Sequence, residues 1–467
     1  MARKKEDTNR SATNSFDSSS FEDASTEQAE KLGTAFESII TSKYGFARAP
    51  EPYLTPFGIQ HLDTLIGGGI TSSAPVMLTS TPETGKSTLA FQLSSIFQIL
   101  YPNSMVVYLD IETAANKSNK NNAMSRVNIF KIDEKRFRYE PLVININQLF
   151  ELIEQLCAVK QLFEEKSQKE FKVLIIWDSI AATPSSKVED AEDPNKIIGV
   201  KARQLTFALE KYLPMMAFNR ITFLAIDQVR ANLNIDPYAQ KEKSVGVFKD
   251  YRAATSISAL NHRVAQWLFL SRKAAITPDD GLGINGWYMS MYVEKNKIAP
   301  SQEAITCVFD KRNGLHKFWS EYTFLSEMMP SEKKYYKTED KIPFPLSIKK
   351  SGPQVYLEFI DPTSGSVAYT SEKMYKKNMN KAYIEDSTFR QAFDYVTSMA
   401  VELRIRQGLF RESETAINIS SEVIEEFEAE SLSDDNFDKP KISVAEQVAA
   451  TIPSIDGEQE ATYESIF

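Results

Sequence analysis

The densest run of chemistry-bearing residues is Ser80-Thr81-Pro82-Glu83-Thr84-Gly85-Lys86-Ser87, continued by Thr88. A loop that holds a polyphosphate needs four things: inward backbone N–H groups at a helix start, a glycine at the closest approach, a lysine for the terminal phosphates, and a hydroxyl for a divalent ion. Gly85, Lys86 and Ser87 supply the last three. Ser80 stands where the first glycine of such loops is usual, and a serine has less backbone freedom than glycine. The chemistry this spacing supports is binding of ATP with Mg²⁺ along Ser80 to Thr88. Such a loop must be positioned by a strand before it and a helix after it. Pro75-Val76-Met77-Leu78 is an apolar run, and Leu89, Ala90, Phe91, Leu93, Ile96 and Phe97 follow at helical spacing.

Acids recur at the ends of later apolar runs. Met105-Val106-Val107-Tyr108-Leu109 reads as a buried strand that delivers Asp110 and Glu112 at its carboxyl end, where ligands bind in open parallel sheets. Glu112 is therefore the candidate for orienting the water that attacks a γ-phosphate. Leu149, Phe150, Ile153, Leu156, Val159 and Leu162 predict a crossover helix over 147–165. It feeds Val173-Leu174-Ile175-Ile176-Trp177, a strand of the kind buried on both faces, which ends in Asp178-Ser179. Asp178 reads as the acid that shares Mg²⁺ with Ser87. A further run, Ile221 to Ile226, ends in Asp227-Gln228-Val229-Arg230, which puts the Gln228 amide where it can sense a γ-phosphate and pass its state onward.

The segment from Ala231 to about Leu260 is polar and aperiodic. It carries Lys241, Lys243, Lys249 and Arg252 among Tyr238, Phe248 and Tyr251. Cations interleaved with rings suit a groove for single-stranded nucleic acid, and the alternative is a loop that binds nothing. The 184–198 stretch is acidic, so Lys201 and Arg203 beside it are the candidates there. Strands over 262–270 and 287–293, the second followed by Glu294-Lys295-Asn296-Lys297, predict that the sheet is finished by antiparallel hairpins.

With 467 residues and a net charge of −9, the chain can hold a large core and is not a generic polybasic binder, although a local basic groove is compatible with acids gathered in tails. Cys157 and Cys307 lack metal-ligand spacing and read as reduced core thiols of a cytoplasmic protein. No apolar run reaches membrane-spanning length, so no membrane partner is expected. Composition divides the chain into a disordered arm (1–30), a helix-and-strand oligomerisation element (31–52), a core (53–320), a small accessory domain (321–419) and an acidic disordered tail (420–467).

Leu62 to Gly69, the Pro82-Glu83 loop, Leu109-Asp110-Ile111-Glu112, Trp177-Asp178-Ser179, Asp227-Gln228-Val229-Arg230 and Glu294-Lys295-Asn296-Lys297-Ile298-Ala299 occur in the order and spacing of a known family. Over roughly residues 31 to 320 the chain resembles RecA-type strand-exchange recombinases, most of all those of tailed phages. The resemblance implies an α/β fold: a RecA-like P-loop ATPase core with a mainly parallel central sheet finished by antiparallel strands, plus a small C-terminal domain. It implies MgATP on Lys86, Ser87 and Asp178, Glu112 as catalytic carboxylate, and Gln228 as the coupling residue. Lys295 and Lys297 would reach a neighbouring subunit's phosphates, Arg203 and Arg230 would contact DNA, and Phe46-Ala47-Arg48-Ala49 would bind the adjacent protomer. The implied partners are single-stranded DNA, homologous duplex DNA, further copies in a helical filament, and single-strand-binding or mediator proteins. Asp227 departs from the family pattern, where an amide is commoner, and the second DNA loop is poor in glycine. Two other readings use the same residues: a hexameric helicase or translocase, and a nucleotide-switched regulator with no DNA substrate.

Overall fold

Apolar runs in the chain become strands, and their lengths set a common edge at which the polar residues after them collect. β1 (Leu54–Thr55) and β2 (Ile70–Thr71) form a small antiparallel pair around helix α1 (Gln60–Leu65). Next come β3 (Val76–Ser80), α2 (Lys86–Leu100), β4 (Ser104–Asp110), β5 (Phe137–Pro141), α3 (Ile146–Ser167) and β6 (Lys172–Asp178). α4 (Pro194–Phe218), β7 (Ile221–Ala231), β8 (Tyr251–Ala253), β9 (Gln266–Ala275), β10 (Gly286–Asn296), β11 (Ala304–Asp310) and β12 (Gly314–Leu315) follow. The C-terminal part is α5 (Lys317–Met328), β13 (Leu346–Ser351), β14 (Gln354–Ile360), β15 (Val367–Thr370), α6 (Met379–Glu385) and α7 (Ser387–Gly408).

This computed structural model describes Thr34 and residues 50–72, 74–112, 124–141, 144–186, 194–231, 251–253, 263–299, 304–329, 344–361 and 364–408. The expected arm at 1–30, nearly all of the 31–52 element, Lys241, Lys243, Lys249 and the 420–467 tail lie outside those residues. The chain divides at Pro50–Glu51 into two units, and every contact below lies in the second.

The protein is α/β with one large mixed sheet, ordered β12-β11-β10-β9-β3-β7-β6-β4-β5, with β8 paired to β7. β9, β3, β7, β6, β4 and β5 are mutually parallel, whereas β9–β10, β10–β11 and β11–β12 are antiparallel. Side chains alternate between two buried cores, which explains the near-continuous apolar runs. Val76, Leu78, Val106, Tyr108, Leu174 and Ile176 face α2, through Leu89, Leu93 and Phe97. Met77, Val107, Leu109, Ile175 and Trp177 face α3 and α4, through Phe150, Ile153, Leu205 and Leu209. The α3 helix begins one residue earlier than its pattern predicts, because Asn145 and Gln148 form a reciprocal capping box. Cys157 and Cys307 are free and buried.

A third core joins Val308 of the large sheet to Phe318 and Trp319 of α5 and to Phe389 and Phe393 of α7. The boundary expected after residue 320 falls inside α5. Lys317 in that helix donates to Glu321 and to Asp394 of α7 at 3.1 and 3.2 Å. Glu321 in turn accepts the Gln60 amide of α1 at 3.0 Å. Among the described residues no helix is long and apolar enough to cross a membrane.

Candidate active site

Pairing register brings the predicted polar residues to one edge. Ser80 of β3 lies opposite Gln228 of β7 and Leu270 of β9, while Asp178 of β6 lies opposite Asp110 of β4 and Ile226 of β7. Because all these strands run the same way, their carboxyl ends share an edge.

The loop after β3 turns through two left-handed residues, Glu83 (φ 58°) and Gly85 (φ 110°), and Gly85 then caps the start of α2. A Cβ on Gly85 would lie 2.4 Å from the Phe309 ring of β11, so this glycine is required by conformation and by space. Ser80 is different from expectation. It is the last residue of β3 and has no positive φ, so serine costs no backbone strain there. Its Oγ donates to the Thr81 carbonyl at 2.6 Å and accepts from Lys86 Nζ at 2.7 Å. Lys86 also reaches the Thr81 carbonyl at 3.3 Å. Thr84 Oγ1 donates to that same carbonyl at 2.9 Å, which leaves Thr81 as donor across the 3.0 Å hydroxyl pair. Burial pulls the Lys86 pKa below the usual lysine range, against the opposing pull of Asp178, Glu112 and Asp227.

Ser87 Oγ donates to Asp178 Oδ2 at 2.9 Å, so the predicted hydroxyl and acid converge on one point. The same oxygen accepts the Tyr108 hydroxyl at 2.6 Å. Burial raises the Asp178 pKa above the usual carboxylate range; the Tyr108 and Ser87 hydrogen bonds oppose this, and Glu112 and Asp110 reinforce it. Tyr108 itself is pushed well above the usual phenol range, by burial first and by Asp178 next. Tyr139 donates to Asp110 in the same manner. The Asp178 carbonyl accepts the Ile111 and Glu112 amides at 2.6 and 3.3 Å and so sets the turn that carries Glu112. Gln228 Nε2 donates to Glu112 Oε1 at 2.7 Å, which puts two residues chosen separately from the sequence in contact. Asp227, the departure from pattern, is fully buried; its Oδ1 accepts the Ala181 and Gln228 amides at 3.1 and 2.9 Å and fixes both turns.

Lys295 and Lys297 are not at this edge. Lys295 pairs with Trp267 and Asn296 with Gln266, and Gln266 is level with Val76, at the other end of β3 from Ser80. Four residues of strand separate those levels, about 13 Å at ~3.3 Å per residue. The turn beside the lysines is tied down: Gln266 Nε2 donates to Ile66 and Gly69 carbonyls at 3.0 and 2.9 Å, and Asn296 Nδ2 to Ile66 at 3.0 Å. A Cβ on Gly67 would lie 2.8 Å from Ile298 Cγ2. Burial, and then Lys297, lower the Lys295 pKa.

The candidate DNA residues part company. Lys201 points inward, donating to the Ile180 and Ala181 carbonyls at 2.9 Å each, and thus holds α4 to the turn after β6. Arg203 is exposed on α4. Arg230 and Arg252 are direct cross-strand partners on β7 and β8. Residues that sequence reasoning missed are Tyr108, Tyr139, Phe309 and Gln92. Gln92 exchanges two 2.8 Å hydrogen bonds with the Leu315 backbone and pins α2 to β12. Its signal is an amide buried beside Leu89 and Ile96 of α2. No protein-family model matches this chain, and no curated protein matches it.

Proposed function

We propose that this chain is a RecA-like P-loop ATPase that forms filaments on single-stranded DNA and promotes homologous pairing and strand exchange with duplex DNA. The observation that carries the reading is the convergence of Lys86, the Ser87–Asp178 pair and the Glu112–Gln228 pair on one sheet edge. Ser87 and Asp178 present the hydroxyl and carboxylate that suit Mg²⁺, which when bound neutralises charge on the β- and γ-phosphate oxygens. Lys86, held by the Ser80 hydroxyl and the Thr81 carbonyl, is the cation for the terminal phosphates. Glu112 orients the attacking water and takes its proton. Gln228 exchanges Glu112 for the γ-phosphate, and that exchange pulls on β7, which continues directly into Arg230 and the basic-aromatic segment beyond.

The filament part rests on Lys295 and Lys297. Set at the far edge from their own loop, they serve a phosphate only when it belongs to a second copy, as the trans cations of phosphoryl transfer. DNA binding by Arg203, Arg230, Arg252 and the segment with Lys241, Lys243 and Lys249 would be sequence-independent and salt-dependent. Lys201 leaves that set for a positioning role. A cytoplasmic location and single-strand-binding or mediator partners go with this function.

Negative-stain electron microscopy with long single-stranded DNA, Mg²⁺ and a slowly hydrolysed ATP analogue tests it. Open helical filaments coating the DNA are expected. Closed rings would turn the reading to a helicase or translocase, and bare DNA beside free protein would turn it to a regulator.

A further inference from the structure

Ser80 has a hydroxyl where phosphate loops usually have no side chain, and the structure gives that hydroxyl a specific partner. The residue is completely buried. Its proton is committed to the Thr81 carbonyl at 2.6 Å, which leaves its lone pairs to Lys86 Nζ at 2.7 Å. That is the shortest of the three contacts the ammonium makes, the others being the Thr81 and Ser80 carbonyls at 3.3 and 3.5 Å. A buried ammonium without acceptors is costly, so the hydroxyl supplies the best part of what the lysine needs from the protein. Backbone geometry does not explain the serine, because the left-handed residues of the loop are Glu83 and Gly85.

We propose that Ser80 is a positioning residue that holds the Lys86 ammonium through its hydroxyl, so that phosphates compete with a serine hydroxyl for Lys86. The inference rests on the phosphate-binding reading above and deepens it. It makes the serine a determinant of nucleotide affinity: the residue favours the free loop, weakens ATP and ADP alike, and speeds release of product. The two diphosphate-bearing ligands are affected together because the competition is for the lysine, not for the γ-phosphate alone.

The test uses the full-length protein and its Ser80→Ala variant, with ADP and a non-hydrolysable ATP analogue as probes, each with Mg²⁺, in a calorimetric or fluorescence titration. Removing a charge-assisted hydrogen bond from the free state should tighten both ligands by about tenfold. Equal or weaker binding by Ser80→Ala, when the wild-type protein binds, overturns the role of Ser80 and leaves the phosphate-loop reading intact. Failure of both folded proteins to bind either probe defeats the phosphate-loop reading itself, and the inference with it. A second measurement separates this hold on the lysine from general packing: melting of the nucleotide-free proteins in a cycle with Lys86→Met. Ser80→Ala should lower the midpoint with Lys86 present and leave it unchanged in the Lys86→Met background. The same loss in both backgrounds would show that the hydroxyl acts without the lysine, and would also overturn the proposal.

Discussion

At the carboxyl-terminal edge of the parallel strands, polar side chains answer one another: Ser87 and Tyr108 share one oxygen of Asp178, Tyr139 holds Asp110, and Gln228 holds Glu112. At the opposite edge, Gln266 and Asn296 give their amides to the backbone of the 66–69 turn, and Lys295 and Lys297 stand beside it. The first edge gathers Asp178, Glu112 and Asp227 around Lys86, with Asp110 beside Asp178, an acid-rich balance that by itself repels a polyanion. The second is basic and anchored on backbone. The contrast teaches that charge is sorted between the two edges; on the proposed reading neither suffices for triphosphate chemistry, since the acidic edge would need a divalent ion and cations from elsewhere, and the basic edge would offer such cations to a second copy.

Breaking the acidic edge at its own cation should have the largest effect. Lys86→Ala is expected to reduce ATP hydrolysis about 1,000-fold or more and to weaken nucleotide binding, read by phosphate release and titration. Glu112→Gln should lower kcat by roughly 100- to 10,000-fold while nucleotide affinity stays within a few-fold; an equal loss of affinity would make Glu112 a binding residue instead. Lys295→Ala should lose about 100-fold in DNA-stimulated hydrolysis with unaltered nucleotide binding. The sharpest version mixes Lys295→Ala with Glu112→Gln: mixed assemblies regain activity if the edges complement between copies, and a mixture no better than the sum of its parts breaks the comparison.

The smallest effect belongs to the packing behind both edges. His61 stacks on Phe324 of α5 and His316 caps that helix; burial lowers each to about 4. Each is neutral when folded and protonates near 6.5 when unfolded, so between about pH 4 and 6.5 the unfolded chain binds more protons. Their contribution to stability is fully present above pH 6.5 and is lost as pH falls through 4, at up to about 1.4 kcal/mol per pH unit for each. Urea unfolding at pH 5 and pH 7 should show the difference, and His61→Gln should cut it by about half. No change in the difference would place the titration elsewhere.

Much of this geometry was legible in the residues. Period-two burial on both faces gave β4, β6 and β7 as apolar runs, so their terminal acids could be placed at a common edge from spacing alone. The antiparallel finish followed from two consecutive strands without a crossover helix between them. The legible part ends where partners are distant in sequence and apolar in type. Tyr108 sits inside a core-forming run and reads as packing, because nothing local reveals that its hydroxyl reaches Asp178 of the neighbouring strand. Phe309 has no feature that marks it as the neighbour of Gly85. Lys201 reads as a surface cation, and only the turn after β6 shows the two carbonyls it serves. The tie of Glu321 to the α1 backbone is likewise invisible, since it joins residues 261 apart in the chain.

The aromatic ring behind Gly85 has one more implication. Phe309 is stacked on Trp287 at 4.9 Å, over which the Arg272 guanidinium lies at 4.7 Å, so the ring is itself held from behind. The loop after β3 thus rests against a stiff wall that belongs to the antiparallel wing of the sheet. Its shape is a property of two distant stretches of chain, and a change of volume at residue 309 has to be matched at the loop, or the turn that carries Gly85 is lost.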